Sequence, residues 1–232
     1  MQAHRPGATV GVFDAVASET WVDIEKPASG VDTHWMSETG VLDLFFFLGP
    51  SPSDVMEQYG RLTGTTSLPA YFAVGHHQCR WNYLDVDDVL DVSRRFDEAD
   101  IPMDVMWLDI EYSHEHKYFI WEPHHFAEPE RMLQGLADRG RQLVAIVDPH
   151  LKRDDEYYVY REGKELDVFV KDADGKEYEG WCWPGNSVWL DAFNPASWDW
   201  WIKLFSFERF KGSASNLHLW NDMNEVRVPL PW

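Results

Sequence analysis

Residues 103–150 read MDVMWLDIEYSHEHKYFIWEPHHFAEPERMLQGLADRGRQLVAIVDPH, and they decide the fold. MDVMWLDIE (103–111) is a short apolar run that ends in two acids, and QLVAIVDPH (142–150) is another run that ends in a polar group. Between them PERMLQGLADRG (129–140) spaces its apolar residues as a helix does and stops at Gly140, a residue suited to the left-handed backbone of a helix end. Continuous apolar runs such as LVAIV fit strands covered on both faces. Strand, helix, strand in this order implies two parallel strands joined by a crossover helix.

The same rhythm extends both ways. Upstream, YFAVGHH (71–77) reads as a strand and DVDDVLDVSRRFDEADI (85–101) as a helix with Val89, Val92 and Phe96 inward and an acidic first turn. Downstream, a polar and aromatic stretch (151–194) shows no clear period; PASWDWWIKLFSFERF (195–210) then reads as a helix and NLHLWND (216–222) as a strand. That makes four parallel strands. The first fifty residues have a different texture: 9–25 and 31–48 read as strands with turn chemistry in SETG and LGPSPSD. SDVMEQYGRL (53–62) reads as a helix with Ser53 as N-cap and Val55, Met56, Tyr59 and Leu62 on one face, followed by TGTTSLP as a linker.

Of the 232 residues 44% are hydrophobic, enough for a real core; 20 Lys and Arg against 40 Asp and Glu leave a net charge of −20. That charge excludes nucleic acid and anionic membrane surfaces as partners, since both require a basic footprint. No apolar run approaches the ~20 residues of a membrane span, and MQAHRPGATV at the start offers no apolar segment of a signal peptide. Cys79 and Cys182 are too few for a disulfide framework or a thiolate zinc site and are expected as buried thiols. The 13 Trp, 9 Tyr and 13 Phe either fill a large core or offer flat faces for sugar rings.

In parallel α/β sheets and barrels, sites form at the C-terminal ends of strands. Here those ends read HHQCRWNY (76–83), WLDIE (107–111), VDPH (147–150) and WNDMNE (220–225). Two of them repeat a pattern, Trp107-x-Asp109 and Trp220-x-Asp222. Residues two apart on a strand share a face, so each Trp and its Asp point the same way, one step apart toward the mouth. A carboxylate beside Trp costs several kcal/mol if buried unpaired. These acids therefore either serve chemistry or act as helix caps and salt-bridge partners. Carboxylates among aromatic faces suit glycoside hydrolysis, which needs a nucleophile and a general acid. The histidine pairs at 76–77, 114/116 and 124–125 lack the H-E-x-x-H spacing and cysteine partners of a metal site. Nucleotide loops and the serine elbow G-x-S-x-G are absent.

WNDMNE (220–225) and WLDIEY (107–112), with RWNY (80–83), VDPH (147–150), YEGWCWPG (178–185) and WMSETG (35–40), resemble glycoside hydrolase family 31, and within it the branch that trims glucose from N-linked glycans in the endoplasmic reticulum. The resemblance implies an α/β fold: a partial (β/α)8 TIM barrel of about four βα units, preceded by the tail of an N-terminal β-sandwich. The expected division is 1–50 for the sandwich tail, 51–68 for the helix and linker, and 69–232 for the first half of the barrel. It implies Asp222 as nucleophile with Glu225 in the same catalytic motif. Asp109 is implied as a ligand of the first sugar, with Trp81, Trp183, Trp220 and Met223 lining that pocket. It implies no metal and no cofactor, a glucose-capped oligosaccharide as substrate, and a non-catalytic β subunit as partner. Val226 stands where the family has Pro, and VRVPLPW (226–232) leaves the family pattern. The family's acid/base Asp lies beyond this motif and has no counterpart in this sequence. The chain is therefore expected to be incomplete and inactive alone, with a catalytically dead carbohydrate-binding fragment as the alternative.

Overall fold

The computed structural model describes residues 1–226, so Arg227–Trp232, the rest of the departing tail, lie outside the described residues. Two compact units divide between Leu68 and Pro69.

In the first unit β1 (Gln2–Arg5), β2 (Ala8–Asp14) and β5 (Leu44–Phe47) form an antiparallel sheet in the order β1-β2-β5, while β3 (Thr20–Glu25) and β4 (Asp32–Ser37) form a separate hairpin. Helix α1 (Pro52–Thr63) packs on the first sheet. Gly11 permits that approach, because a Cβ there would meet Val55 Cγ1 at 2.6 Å. Tyr59 contributes edge contacts to Phe13 and Phe47, 5.4 and 5.9 Å between ring centres. The N-cap is Ser51, not Ser53: its hydroxyl accepts from the Asp54 N–H, and Asp54 accepts in return from the Ser51 N–H at 2.9 Å. This capping box, with Pro52 at the first helical position, starts the helix two residues earlier than expected. Val55 is buried, whereas Met56 and Leu62 are exposed.

In the second unit β6 (His77–Gln78), α2 (Val86–Glu98), β7 (Val105–Leu108), α3 (Pro129–Ala137) and β8 (Gln142–Ile146) follow the expected alternation. After β8 come β9 (His150–Lys152), α4 (Tyr158–Glu165), β10 (Gly180–Cys182), β11 (Gly185–Trp189), α5 (Pro195–Leu204) and β12 (Leu217–Trp220). The four strands β12-β8-β7-β6 make one parallel sheet, a partial barrel. The first of them is shorter than expected: Tyr71–Val74 wind into a 3-10 turn, and only His77 and Gln78 pair. Helix α5 likewise ends at Leu204 rather than continuing to residue 210.

Register fixes which side chains point inward. Trp107 pairs with Val144 and Val144 with His218, so these share a face; Met106, Leu143 and Leu217 share the other. The second set joins Val89 of α2 and Met132, Leu133 and Leu136 of α3 in the main apolar core. Burying each such side chain is worth roughly 1.5–3 kcal/mol. Gly135 lets α3 close on α2, since a Cβ there would meet Leu90 Cδ2 at 2.8 Å. Arg141, nearly sealed, ties the layers together: it donates to Met103 O (3.1 Å), Ser93 O (2.6 Å) and the Asp97 carboxylate (2.5 Å).

The stretch 151–194 contains structure that its sequence does not advertise. β9, β11 and β10 form a small antiparallel sheet, and α4 packs beside β9. Neither cysteine forms a disulfide, and neither is buried as expected: Cys79 is exposed and Cys182 half-buried. Cys79 lies just past the end of β6, at the sheet's open rim.

Candidate functional site

The inward face of the sheet carries a linked set of rings. Trp107 on β7 meets Trp220 on β12 with ring centres 5.3 Å apart and planes at 65°. Trp107 Nε1 donates to His77 Nδ1 at 2.9 Å. An indole nitrogen only donates, so His77 Nδ1 is unprotonated and His77 Nε2 donates to Phe72 O at 3.2 Å. His218 stacks near Phe72, 4.7 Å between ring centres. Both Trp-x-Asp motifs therefore sit on one floor, as the period of two requires.

One step beyond the tryptophans the chain delivers carboxylates. Asp109 is half-buried, and its Oδ1 accepts from the Ile110 N–H at 2.8 Å, capping the short turn Ile110–Tyr112. Asp109 is thus a cap as well as a site candidate; its other oxygen is not needed for the cap. Asp222 is exposed just past β12, and the next residue, Met223, takes a left-handed backbone (φ 51°).

A third carboxylate lies with them. Asp148 stands two residues past Ile146, whose pairing partner is Trp220, so Asp148 and Asp222 leave adjacent strands in step. It is fully buried. Burial pushes its carboxyl up to about 7; the charges of Asp222 and Asp109 push the same way, while the Tyr118 hydroxyl and the Asp222 backbone favour the ionised form. Tyr118 donates to Asp148 Oδ2 at 2.6 Å, and His150 Nε2 lies 3.4 Å from both that hydroxyl and Oδ2. Burial holds His150 down to about 4, partly offset by the Met223 backbone. At neutral pH this imidazole is uncharged.

The aromatic candidates occupy loops around this rim. Trp183 and Pro184 form the two-residue tip of the β10–β11 hairpin, where Cys182 pairs with Gly185. His116 Nδ1 donates to the Trp183 carbonyl at 2.9 Å, from a turn in which Glu115 and His116 both have positive φ. Trp183 is half exposed and Trp181 more so. Trp81 is exposed in the loop after β6; its neighbour Asn82 (φ 68°) turns its backbone to Glu111. Burial pushes the Glu111 carboxyl up, with the charge of Asp109 adding. Glu225 is exposed and makes no ion pair among the described residues. A concavity of ~410 Å³ lined by Phe119, Trp121, Tyr158 and Arg209 shares no residue with this rim.

Residues 66–231 match the TIM-barrel domain of the glycosyl hydrolases family 31. The chain belongs to glycosyl hydrolase family 31. Over 98% of its length it is 48% identical to the glucosidase 2 subunit alpha of Schizosaccharomyces pombe, of which it covers 25%. The crystal structure of a Tris-bound glucosidase II alpha subunit superposes with a TM-score of 0.92 at 50% identity, covering 98% of this chain and 26% of that one. A second, of the ER glucosidase II heterodimer of catalytic subunit and regulatory-subunit binding domain, gives 0.90 at 50% identity over 96% and 26%. The chain thus spans about a quarter of the length of the relatives it matches.

The structure brings Trp107, Trp220, Asp109 and Asp222 to one end of the sheet, with Met223 on the turn after Asp222 and Trp183 at the tip of the β10–β11 hairpin. Trp81 and Glu225 are at the surface. Asp148, Tyr118 and His150 were missed as site candidates. The signal lay in VDPH, since Asp148 ends the third strand as Asp109 and Asp222 end theirs.

Proposed function

We propose that this chain carries the nucleophile side of a retaining α-glucosidase active site. The observation that supports it most is Asp222 at the open end of β12, one step past a Trp220 packed on Trp107. Asp222 is exposed, so its carboxylate reaches a sugar resting on the indoles. A carboxylate oxygen forms a bond to the anomeric carbon as the glycosidic C–O bond breaks. The leaving oxygen takes a proton from a carboxylic acid, and the same group then deprotonates the water that releases the sugar. Asp109 accepts hydrogen bonds from sugar hydroxyls with the oxygen its cap leaves over. Trp81, Trp183 and Met223 wall the sugar in. Glu225 stands behind the nucleophile as a second charge of the same motif.

Asp148 is not that acid. Its raised pKa would suit the role, but it is sealed from solvent and its Oδ2 is held by Tyr118. The acid belongs to a part of the family fold outside the described residues. The proposed division of the chain is 1–50 as sandwich tail, 51–68 as helix and linker, and 69–232 as the first half of the barrel. The substrate proposed is a glucose-capped glycan, the partner a regulatory subunit like that of the heterodimeric relative, and the compartment the endoplasmic reticulum lumen. Among the described residues no helix is long and apolar enough to cross a membrane.

The test is a segment exchange. Residues 1–226 replace the matching quarter of the fission-yeast alpha subunit, and hydrolysis of an aryl α-glucoside is measured. Activity near that of the parent, lost on Asp222→Asn and recovered as glucosyl azide when azide is supplied to Asp222→Ala, is the expected result. A folded but inactive hybrid that still binds glucose-capped oligosaccharide would instead favour the carbohydrate-binding reading, which the exposed Trp81, Trp181 and Trp183 also fit.

A further inference from the structure

Asp148, Tyr118 and His150 form a sealed polar group in a place where an apolar core would be simpler. Their side chains are buried, Asp148 and His150 completely. Among the described residues, Asp148 Oδ1 and His150 Nδ1 have no hydrogen-bond partner. Leaving buried polar atoms unsatisfied costs about 1–3 kcal/mol each. Asp148 stands level with Asp222 on the adjacent strand, since Ile146 pairs with Trp220; the Asp222 backbone favours the ionised form of Asp148, and the Met223 backbone favours the charged form of His150. Val147 N donates to Trp220 O at 2.9 Å, so the two chains are locked together just below these positions. At Met223 the backbone is left-handed, a conformation most side chains avoid and which something must hold.

We infer that Asp148 is a positioning residue for the nucleophile: backed by Tyr118 and His150, its carboxylate draws the Asp222 N–H toward it and so sets the direction in which the Asp222 side chain leaves β12. The clamp acts through backbone and touches no substrate. It rests on the reading of Asp222 as nucleophile only for its effect on rate, not for its existence. When Asp148 is ionised the N–H of Asp222 has a charged acceptor, and charge-assisted bonds are roughly twice as strong as neutral ones. When Asp148 is protonated the clamp weakens. The charged and titratable groups facing Asp148 are Asp109 past β7, Asp222 past β12, His150 on β9, and Tyr112 and Tyr118 from the loop after β7. Tyr118 also favours the ionised form; Asp109 and Asp222 oppose it.

The experiment uses the purified 232-residue chain, ¹⁵N-labelled, with two readouts. The first is the Asp222 amide resonance followed from pH 5 to 9. It is expected to titrate with a midpoint near the Asp148 value of about 7, to stop doing so in Asp148→Asn, and to titrate at higher pH in Tyr118→Phe, which keeps the fold and removes one stabilising donor. The second is the rate of covalent capture by 5-fluoro-α-glucosyl fluoride, whose leaving group needs little acid assistance. Asp148→Asn should slow the capture step roughly ten- to a hundredfold with the half-saturating concentration little changed, as misplacing a reacting group does. An Asp222 amide that ignores pH near 7, or titrates alike in wild type and Asp148→Asn, overturns the clamp, as does an unchanged capture rate. A titrating amide in a wild-type chain that captures no sugar upholds the clamp and overturns the nucleophile reading, so the two failures are separable.

Discussion

At the residue scale the site is governed by where three aspartates lie relative to water. Asp222 is exposed, Asp109 half-buried and Asp148 sealed, so the same side chain meets three different environments. The buried pair also makes a sharp statement about pH. The folded pKa of Asp148, about 7, lies above the ordinary ~3.9 of aspartate. Its stabilising contribution is complete below about 4 and is lost as pH rises through about 7. His150 runs the other way: its folded value of about 4 lies below the ordinary ~6.5, so its contribution is complete above about 6.5 and is lost as pH falls through about 4. Between those limits the two slopes oppose each other. Asp148→Asn should therefore leave the slope of His150 uncompensated: urea midpoints should fall more steeply than those of the parent on acidification from about 6.5 to 4, and stay flatter from 6.5 to 8. Parallel curves for variant and parent would show that Asp148 is not held in the protonated form. The repeated Trp-x-Asp was legible in the sequence because a strand's period of two needs only counting. The Tyr118–Asp148–His150 group was not, because Tyr118 lies thirty residues from Asp148 in a loop with no period.

At the scale of elements, the helices and long strands could be read from apolar spacing, and the misplacements have physical causes. Ser51 displaced Ser53 as the cap because Pro52 favours the first helical position and Asp54 completes the reciprocal bond. YFAV has strand composition but forms a 3-10 turn, and among the described residues no strand pairs with it. The β9-β11-β10 sheet was invisible because its strands have three to five residues and β9 finds β11 across more than thirty residues. Arg141 is the element-level joint, holding α2 to the entry of β7 and β8. Arg141→Met removes its bonds to Met103 O, Ser93 and Asp97, and should destabilise the second unit by about 3 kcal/mol. The check is a lower urea midpoint at unchanged slope; a loss under about 0.5 kcal/mol would mean that the network is incidental. The turn tip at Trp183 should depend on His116: His116→Ala is expected to speed amide exchange at Trp183 and Gly185 without moving the urea midpoint, and unchanged exchange would contradict that tie.

At the scale of the molecule, four parallel strands make an open sheet whose outer strands, β6 and β12, each have one pairing neighbour among the described residues. Trp107 and Trp220, packed together, lie on the inward face of that sheet. Unassisted departure of an aryloxide or sugar oxygen lacks the roughly 10²–10⁴-fold help of a general acid, so the purified chain should not hydrolyse an aryl α-glucoside; turnover that vanishes in Asp222→Asn would contradict this. The central claim is narrower, that Asp222 is a competent nucleophile in place. It is tested most directly by incubating the chain with 5-fluoro-α-glucosyl fluoride and mapping the adduct by mass spectrometry. One fluoroglucosyl group on the peptide containing Asp222, absent in Asp222→Asn, is the predicted result; no adduct, or an adduct on any other residue, would contradict it.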